Sequence, residues 1–170
     1  MLTGQRVSKA SLRPEAYGTL DVASSALGVA KVFTQNENIQ KMIFTIQEDL
    51  ITAGAELSCE GLPDEKYRIE PERIDRLEQY IYELQHENPL PRHFVYPGVN
   101  AVSAFLDLSR TIVRRAERNV VALKESGCGV RPEVHAYLNR LADFLFTLAR
   151  YAERKRIIVI ESGVCDETPV

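Results

Sequence analysis

The groups best suited to handling an anion are gathered in one stretch, Arg110-Thr-Ile-Val-Arg114-Arg115-Ala-Glu117-Arg118. On a helix, at 100° per residue, Asp107, Arg110, Arg114, Glu117 and Arg118 fall within a stripe about 100° wide. Phe105, Leu108, Ile112, Ala116 and Leu123 lie on the other side. Arginines one turn apart repel and weaken a helix slightly, which is tolerable where an anion or partner carboxylates fill the stripe. Two readings stand: a solvated face with local Arg–acid pairs, or a phosphate clamp, since guanidinium forks match phosphate oxygens and keep their charge.

A second polar set follows in Tyr137-Leu-Asn139-Arg140-Leu-Ala-Asp143-Phe-Leu-Phe-Thr-Leu-Ala-Arg150, where Asn139, Asp143 and Arg150 share the face opposite the leucines. An amide and a carboxylate one turn apart suit holding arginines or a ligand's hydroxyls; ordinary surface polarity is the plainer reading. Glu83-x-x-His86 has di-iron spacing, but His93 and His135 lack the second Glu-x-x-His such a bundle site needs, so no metal ligands are assigned.

Amphipathic helices must position these groups. The first carries Ala16, Leu20, Ala23, Leu27 and Ala30, near Gly28, whose missing side chain permits close packing. The second carries Ile39, Ile43, Ile46, Leu50, Ala53 and Leu57, and the third Ile74, Leu77, Ile81 and Leu84. The fourth holds the arginine stripe, and the fifth carries Val134, Leu138, Leu141, Leu145, Leu148 and Ala152. Each shows one inward stripe at helical period. Gly61-Leu-Pro-Asp, Asn88-Pro-Leu-Pro, Tyr96-Pro-Gly and Gly127-Cys-Gly-Val-Arg-Pro132 punctuate them. Only Ile157 to Ile160 reads as a strand. The expectation is an all-α, up-and-down bundle of about five helices over 1–156, ferritin-like in general architecture, with a loose C-terminal tail over 157–170.

At 170 residues the chain is long enough for one domain with a sizeable core. A net charge of -3 argues against nucleic acid as a partner. No apolar run reaches the roughly 18 residues a membrane span needs, and Met1-Leu-Thr-Gly-Gln-Arg does not read as a signal peptide. Cys59, Cys128 and Cys165 form no CxxC pair and fit free thiols in a reducing compartment, so a cytoplasmic location is expected.

In combination these stretches resemble the PduO-type ATP:cob(I)alamin adenosyltransferases. Arg110-Thr-x-x-Arg114-Arg115-Ala-Glu117-Arg118 and Tyr137-Leu-Asn139-Arg140-Leu-x-Asp143 are similar to that family's two signature segments. Phe94-Val-Tyr-Pro97-Gly98 is similar to its aromatic-apolar-x-Pro-Gly segment, and Gly4-Gln-Arg6-Val-Ser-Lys9 with Glu15-Ala-Tyr-Gly18-Thr-Leu-Asp21 to its early one. The likeness runs in order from about residue 3 to residue 154.

The resemblance implies that cob(I)alamin attacks the 5′ carbon of ATP and that triphosphate leaves. Co(I) is itself the nucleophile, so the protein supplies positioning and charge neutralisation. It implies an ATP site containing Arg114, Arg115, Glu117 and Arg118, with Lys9 on the phosphates, Asn139 on the nucleotide and Mg²⁺ on the triphosphate. It also implies homotrimers with sites between subunits, where Asp21 of one chain pairs with Arg110 of the next. Phe94 would pack beneath the corrin and keep the lower axial ligand off the cobalt. A cob(II)alamin reductase and an adenosylcobalamin-dependent enzyme are the further partners implied.

Two departures from the pattern bear on activity. The family's Thr-x-Thr-Gly-Asp-x-Gly phosphate loop has no counterpart before Gly4, and its Asp-Glu-Leu is here Asp21-Val22-Ala23. Both favour an alternative, a truncated or weak paralogue that binds or delivers a corrinoid without efficient ATP chemistry. The intact arginine cluster and Asn139 favour the enzyme. A purely structural trimeric scaffold would need the stripe to be merely solvated.

Overall fold

Asn36 ends one connection and starts a helix: its side-chain oxygen accepts from the N–H groups of Asn38 and Ile39, donors that a first helical turn leaves open. Asn100 does the same further on, exchanging hydrogen bonds with Ser103 in a capping box. Pro71 occupies the first turn of a third helix, where its missing N–H costs nothing. These starts, with the apolar stripes, give the order α1 (Leu12–Phe33), α2 (Glu37–Ser58), a 3₁₀ turn (Glu65–Tyr67), α3 (Pro71–Glu87), α4 (Ala101–Glu125) and α5 (Pro132–Val164). The computed structural model describes residue 8 and residues 10–164, with side chains through residue 153. Among the described residues there is no strand, and Ile157 to Ile160 lie on the helical backbone of α5.

α4 packs against both α1 and α5; α1 also packs on α2, and α3 on α5. The apolar stripes read on α1 and α2 are buried throughout, as are Leu77 and Leu84 of α3 and Val134, Leu138, Leu141, Leu145 and Leu148 of α5. Burying each such leucine contributes roughly 1.5–3 kcal/mol. α4 departs from the expected pattern. Its inward residues are Leu106, Val113, Ala116, Val120 and Leu123, while Leu108 is exposed and Phe105 lies at the margin, stacked on Phe33 of α1 at 6.0 Å. The helix therefore has two apolar sectors, one facing the core and one facing out. A side chain at Gly28 would touch Gln47 at 3.4 Å, an ordinary contact, so the α1–α2 approach does not hinge on that glycine.

Buried charges lock the helices in register. Asp49 of α2, 1 % exposed, receives Arg73 and Arg76 of α3 and, at 2.9 Å, the Tyr137 hydroxyl of α5. Arg13 donates to the carbonyls of Leu57 and Cys59 at 2.7 and 2.6 Å, tying the start of α1 to the end of α2. Glu56 accepts from the Ile69 N–H at 2.6 Å and from Arg131 at 3.3 Å.

Burial pushes the Glu56 carboxyl above its ordinary value of 4.5, against the downward pull of the Ile69 N–H and Arg131. An acid whose folded pKa is raised contributes most below its unfolded pKa, and that contribution is lost as pH rises through the folded one. The Glu56→Gln variant has no such titration. Its melting temperature relative to wild type should therefore be higher at pH 7 than at pH 4.5; an offset that is equal at both values would show that Glu56 is solvated.

Candidate functional site

The arginine stripe stands on the outer side of α4. Arg114, Arg115 and Arg118 are exposed, with Glu117 half-buried between them. Three arginines against one glutamate leave a local charge of +2, suited to an anion. Arg118 donates to the Arg114 carbonyl at 3.2 Å, which sets its side chain along the helix. The Glu117 carboxylate accepts from the Asn139 amide at 3.0 Å and lies 3.6 Å from His135 Nε2. The predicted residues of α4 and α5 therefore meet at Glu117 and Asn139. The intervening Asn119 donates to Thr19 of α1 at 3.1 Å, fixing that part of α4 from its other side.

Arg110, 28 % exposed in its side chain, directs its Nε at Asp107 over 3.4 Å. Asp21 is exposed on α1, and among the described residues no ion pair within the chain joins it to Arg110. Phe94 and Tyr96 project from the α3–α4 connection and are almost wholly exposed, ahead of Gly98, whose φ of 98° lies in the left-handed region. Lys9 lies outside the described residues.

On α5 one sequence reading changes, that of Arg150. Asp143 is exposed and pairs with Arg140 at 3.2 Å, which also reaches Glu78 of α3 at 3.0 Å. Arg150 is not on an open polar face with Asn139 and Asp143: it is 3 % exposed, donating to Asp107 at 2.5 Å and to Glu153 at 3.0 Å. The cause is its neighbours, since Leu148, Ala149 and Tyr151 bury that turn and the two carboxylates compensate the charge. Sequence reasoning also missed His135 beside Glu117; its place one turn before Asn139 was the available signal.

A bundle carrying a cationic stripe, an amide-held glutamate and an exposed loop aromatic can hold an anionic ligand and still offer an apolar surface. The pattern that defines the family described as Cobalamin adenosyltransferase matches residues 1–152. A corrinoid adenosyltransferase of Mycobacterium leprae is 40% identical over 166 residues, covering 93% of this chain and 87% of that protein. One of Citrobacter freundii is 39% identical over 152 residues, covering 88% and 86%. A variant PduO-type ATP:corrinoid adenosyltransferase from Lactobacillus reuteri, solved in complex with cobalamin and ATP, superposes with a TM-score of 0.82 at 26% identity, covering 92% of this chain and 86% of that one. The chain belongs to the cobalamin adenosyltransferase family.

Proposed function

We propose that the chain transfers the 5′-deoxyadenosyl group of ATP to cob(I)alamin. The bond between C5′ and its ester oxygen breaks as the cobalt–carbon bond forms, and the oxygen's electron pair leaves with triphosphate. The observation that carries this reading is the exposed Arg114–Arg115–Arg118 stripe with Glu117 held by Asn139. The guanidinium charges of the stripe neutralise charge as it collects on the leaving group. Among the described residues no group of three or more His, Cys, Asp or Glu is placed to hold a metal. Mg²⁺ is expected on the triphosphate, as for most nucleotides. Lys9, on the resemblance, adds a further cation to the phosphates.

The corrinoid is assigned to the surface under Phe94. A wholly exposed phenyl ring costs the free protein apolar hydration and is available as a wall against the corrin face. Phe94→Ala should leave the melting temperature within about 1 °C of wild type, since the ring contacts no core, while lowering kcat about tenfold. Loss of stability without loss of turnover would reassign Phe94 to the fold.

Completion of the site is assigned to a homotrimer in which Asp21 of one subunit reaches Arg110 of the next. Support comes from exposed apolar residues on the two helices that carry these charges, Val22, Val29, Val32 and Phe33 of α1 and Leu108 of α4. Light scattering should give three times the monomer mass, and a monomer would remove the intersubunit site. A cob(II)alamin reductase is the expected upstream partner and an adenosylcobalamin-dependent enzyme the recipient. No helix among the described residues is long and apolar enough to cross a membrane; with Cys59 and Cys128 free, a cytoplasmic location is assigned.

The decisive experiment adds ATP and chemically reduced cob(I)alamin to the purified chain. The spectrum of adenosylcobalamin should appear in proportion to triphosphate. Cobalamin binding without turnover would identify a corrinoid carrier instead.

A further inference from the structure

The charges buried at the α4–α5 contact form a unit that the clamp does not use directly. Asp107 Oδ2 lies 2.5 Å from Arg150 Nη2, and Arg150 Nε lies 2.9 Å from Glu153. All three residues are at most 4 % exposed. Two carboxylates and one guanidinium leave this buried unit at -1. The remaining Asp107 oxygen, Oδ1, faces Arg110 Nε at 3.4 Å, and that positive charge completes neutrality. Arg110 and Arg150 also lie over the same Phe146 ring, 6.0 and 5.2 Å from its centroid. Arg110 thus engages the interior through Nε and one ring face. Among the described residues its two terminal nitrogens make no hydrogen bond, and they form the fork that a carboxylate or phosphate would occupy.

We propose that Asp107, anchored by Arg150 and Glu153, is a positioning residue that holds the Arg110 fork turned out of the bundle toward the reaction site. This rests on the adenosyl-transfer reading for its effect on rate, though not for its geometry. A surface arginine loses rotamer freedom when it binds, at a cost set by its many torsions. An uncompensated buried negative charge behind Arg110 confines it before any ligand arrives. Arg150 and Glu153 act through Asp107: Arg150 fixes one of its oxygens, and Glu153 supplies the excess charge.

The test is a double-mutant cycle on kcat at saturating ATP and cob(I)alamin. Asp107→Asn should lower kcat about tenfold, the scale of a small misplacement of a positioning group. In an Arg110→Ala background the same substitution should change kcat by less than about twofold, because the residue it acts through is gone. An equal factor in both backgrounds would assign Asp107 to general stability and overturn the proposal. Should Asp107→Asn fail to fold, Glu153→Gln decides by the same cycle, since it removes the excess charge without touching Arg110. A second readout is independent of turnover. The Arg110 Nε–H resonance, assigned by its loss in Arg110→Ala, should exchange slowly with solvent in the wild type and rapidly in Glu153→Gln. Rapid exchange in the wild type would overturn the proposal even in an inactive preparation. A wild type that shows slow exchange but no adenosylcobalamin would instead count against the proposed function alone.

Discussion

Arg114→Ala should lower kcat/KM for ATP about a hundredfold, ~2.7 kcal/mol, with little change in melting temperature. Arg114 is exposed and supports no packing, so its removal leaves the core intact. Its neighbours do not replace it. Arg118 is drawn back onto the Arg114 carbonyl, and Arg110, anchored through its Nε at Asp107, keeps its own fork one turn away. Lysine at this position restores charge without the fork and should recover only part of the loss. Steady-state kinetics with calorimetry on the three proteins would settle it. An alanine variant with wild-type kcat/KM would return the stripe to a solvated charged face.

Asp49→Ala should destabilise the chain by about 3–5 kcal/mol, the cost of breaking a buried charge network. In a protein of this length that lowers Tm by on the order of 10 °C. The substitution strands Arg73 and Arg76 and leaves the buried Tyr137 hydroxyl without its acceptor. A pH signature accompanies it. Burial first, then the Asp49 charge, hold the Tyr137 phenol well above its ordinary value of 10.0. The folded chain therefore keeps a proton that the unfolded chain releases; stability is intact below about pH 10 and falls as pH rises beyond it. Asp49→Asn removes the Asp49 charge, so its alkaline decline should be shallower than that of wild type. Parallel Tm curves between pH 9 and 11 would show that Asp49 and Tyr137 are uncoupled.

Much of this architecture is legible in the amino-acid sequence. Helices α1 and α2 bury the residues their periodicity selects, and α5 does so from Val134 to Leu148, because neighbouring helices cover those faces; Ala152 is only partly buried. α4 was harder, since Phe105, Leu108 and Ile112 form an apolar sector as good as the one that is buried. Periodicity registers hydrophobic faces without saying whether the same chain covers them. The stripe itself was readable from Arg110, Arg114 and Arg118. The buried charges were not: Asp49 sits between Ile46 and Ala53 on an inward face, and nothing local reveals that α3 will bring two arginines to it. Arg150 shares a bearing with Asn139 on a helical wheel, yet the depth at which each sits depends on what α4 places opposite.

Tyr137 and Asn139 stand two residues apart on α5, the first seated on Asp49 and the second on Glu117. On the proposed function, one helix therefore carries both a buried tie of the bundle and the residue assigned to the nucleotide. Variation that loosens the Asp49 seat should appear in enzyme assays as poor ATP affinity, although Asp49 touches no ligand. The linkage runs both ways, because a ligand that binds only the native chain raises its stability by RT ln(1 + [L]/Kd). Heat-sensitive variants of this protein should for that reason be rescued by added nucleotide, with ATP acting as a chaperone for the fold that consumes it.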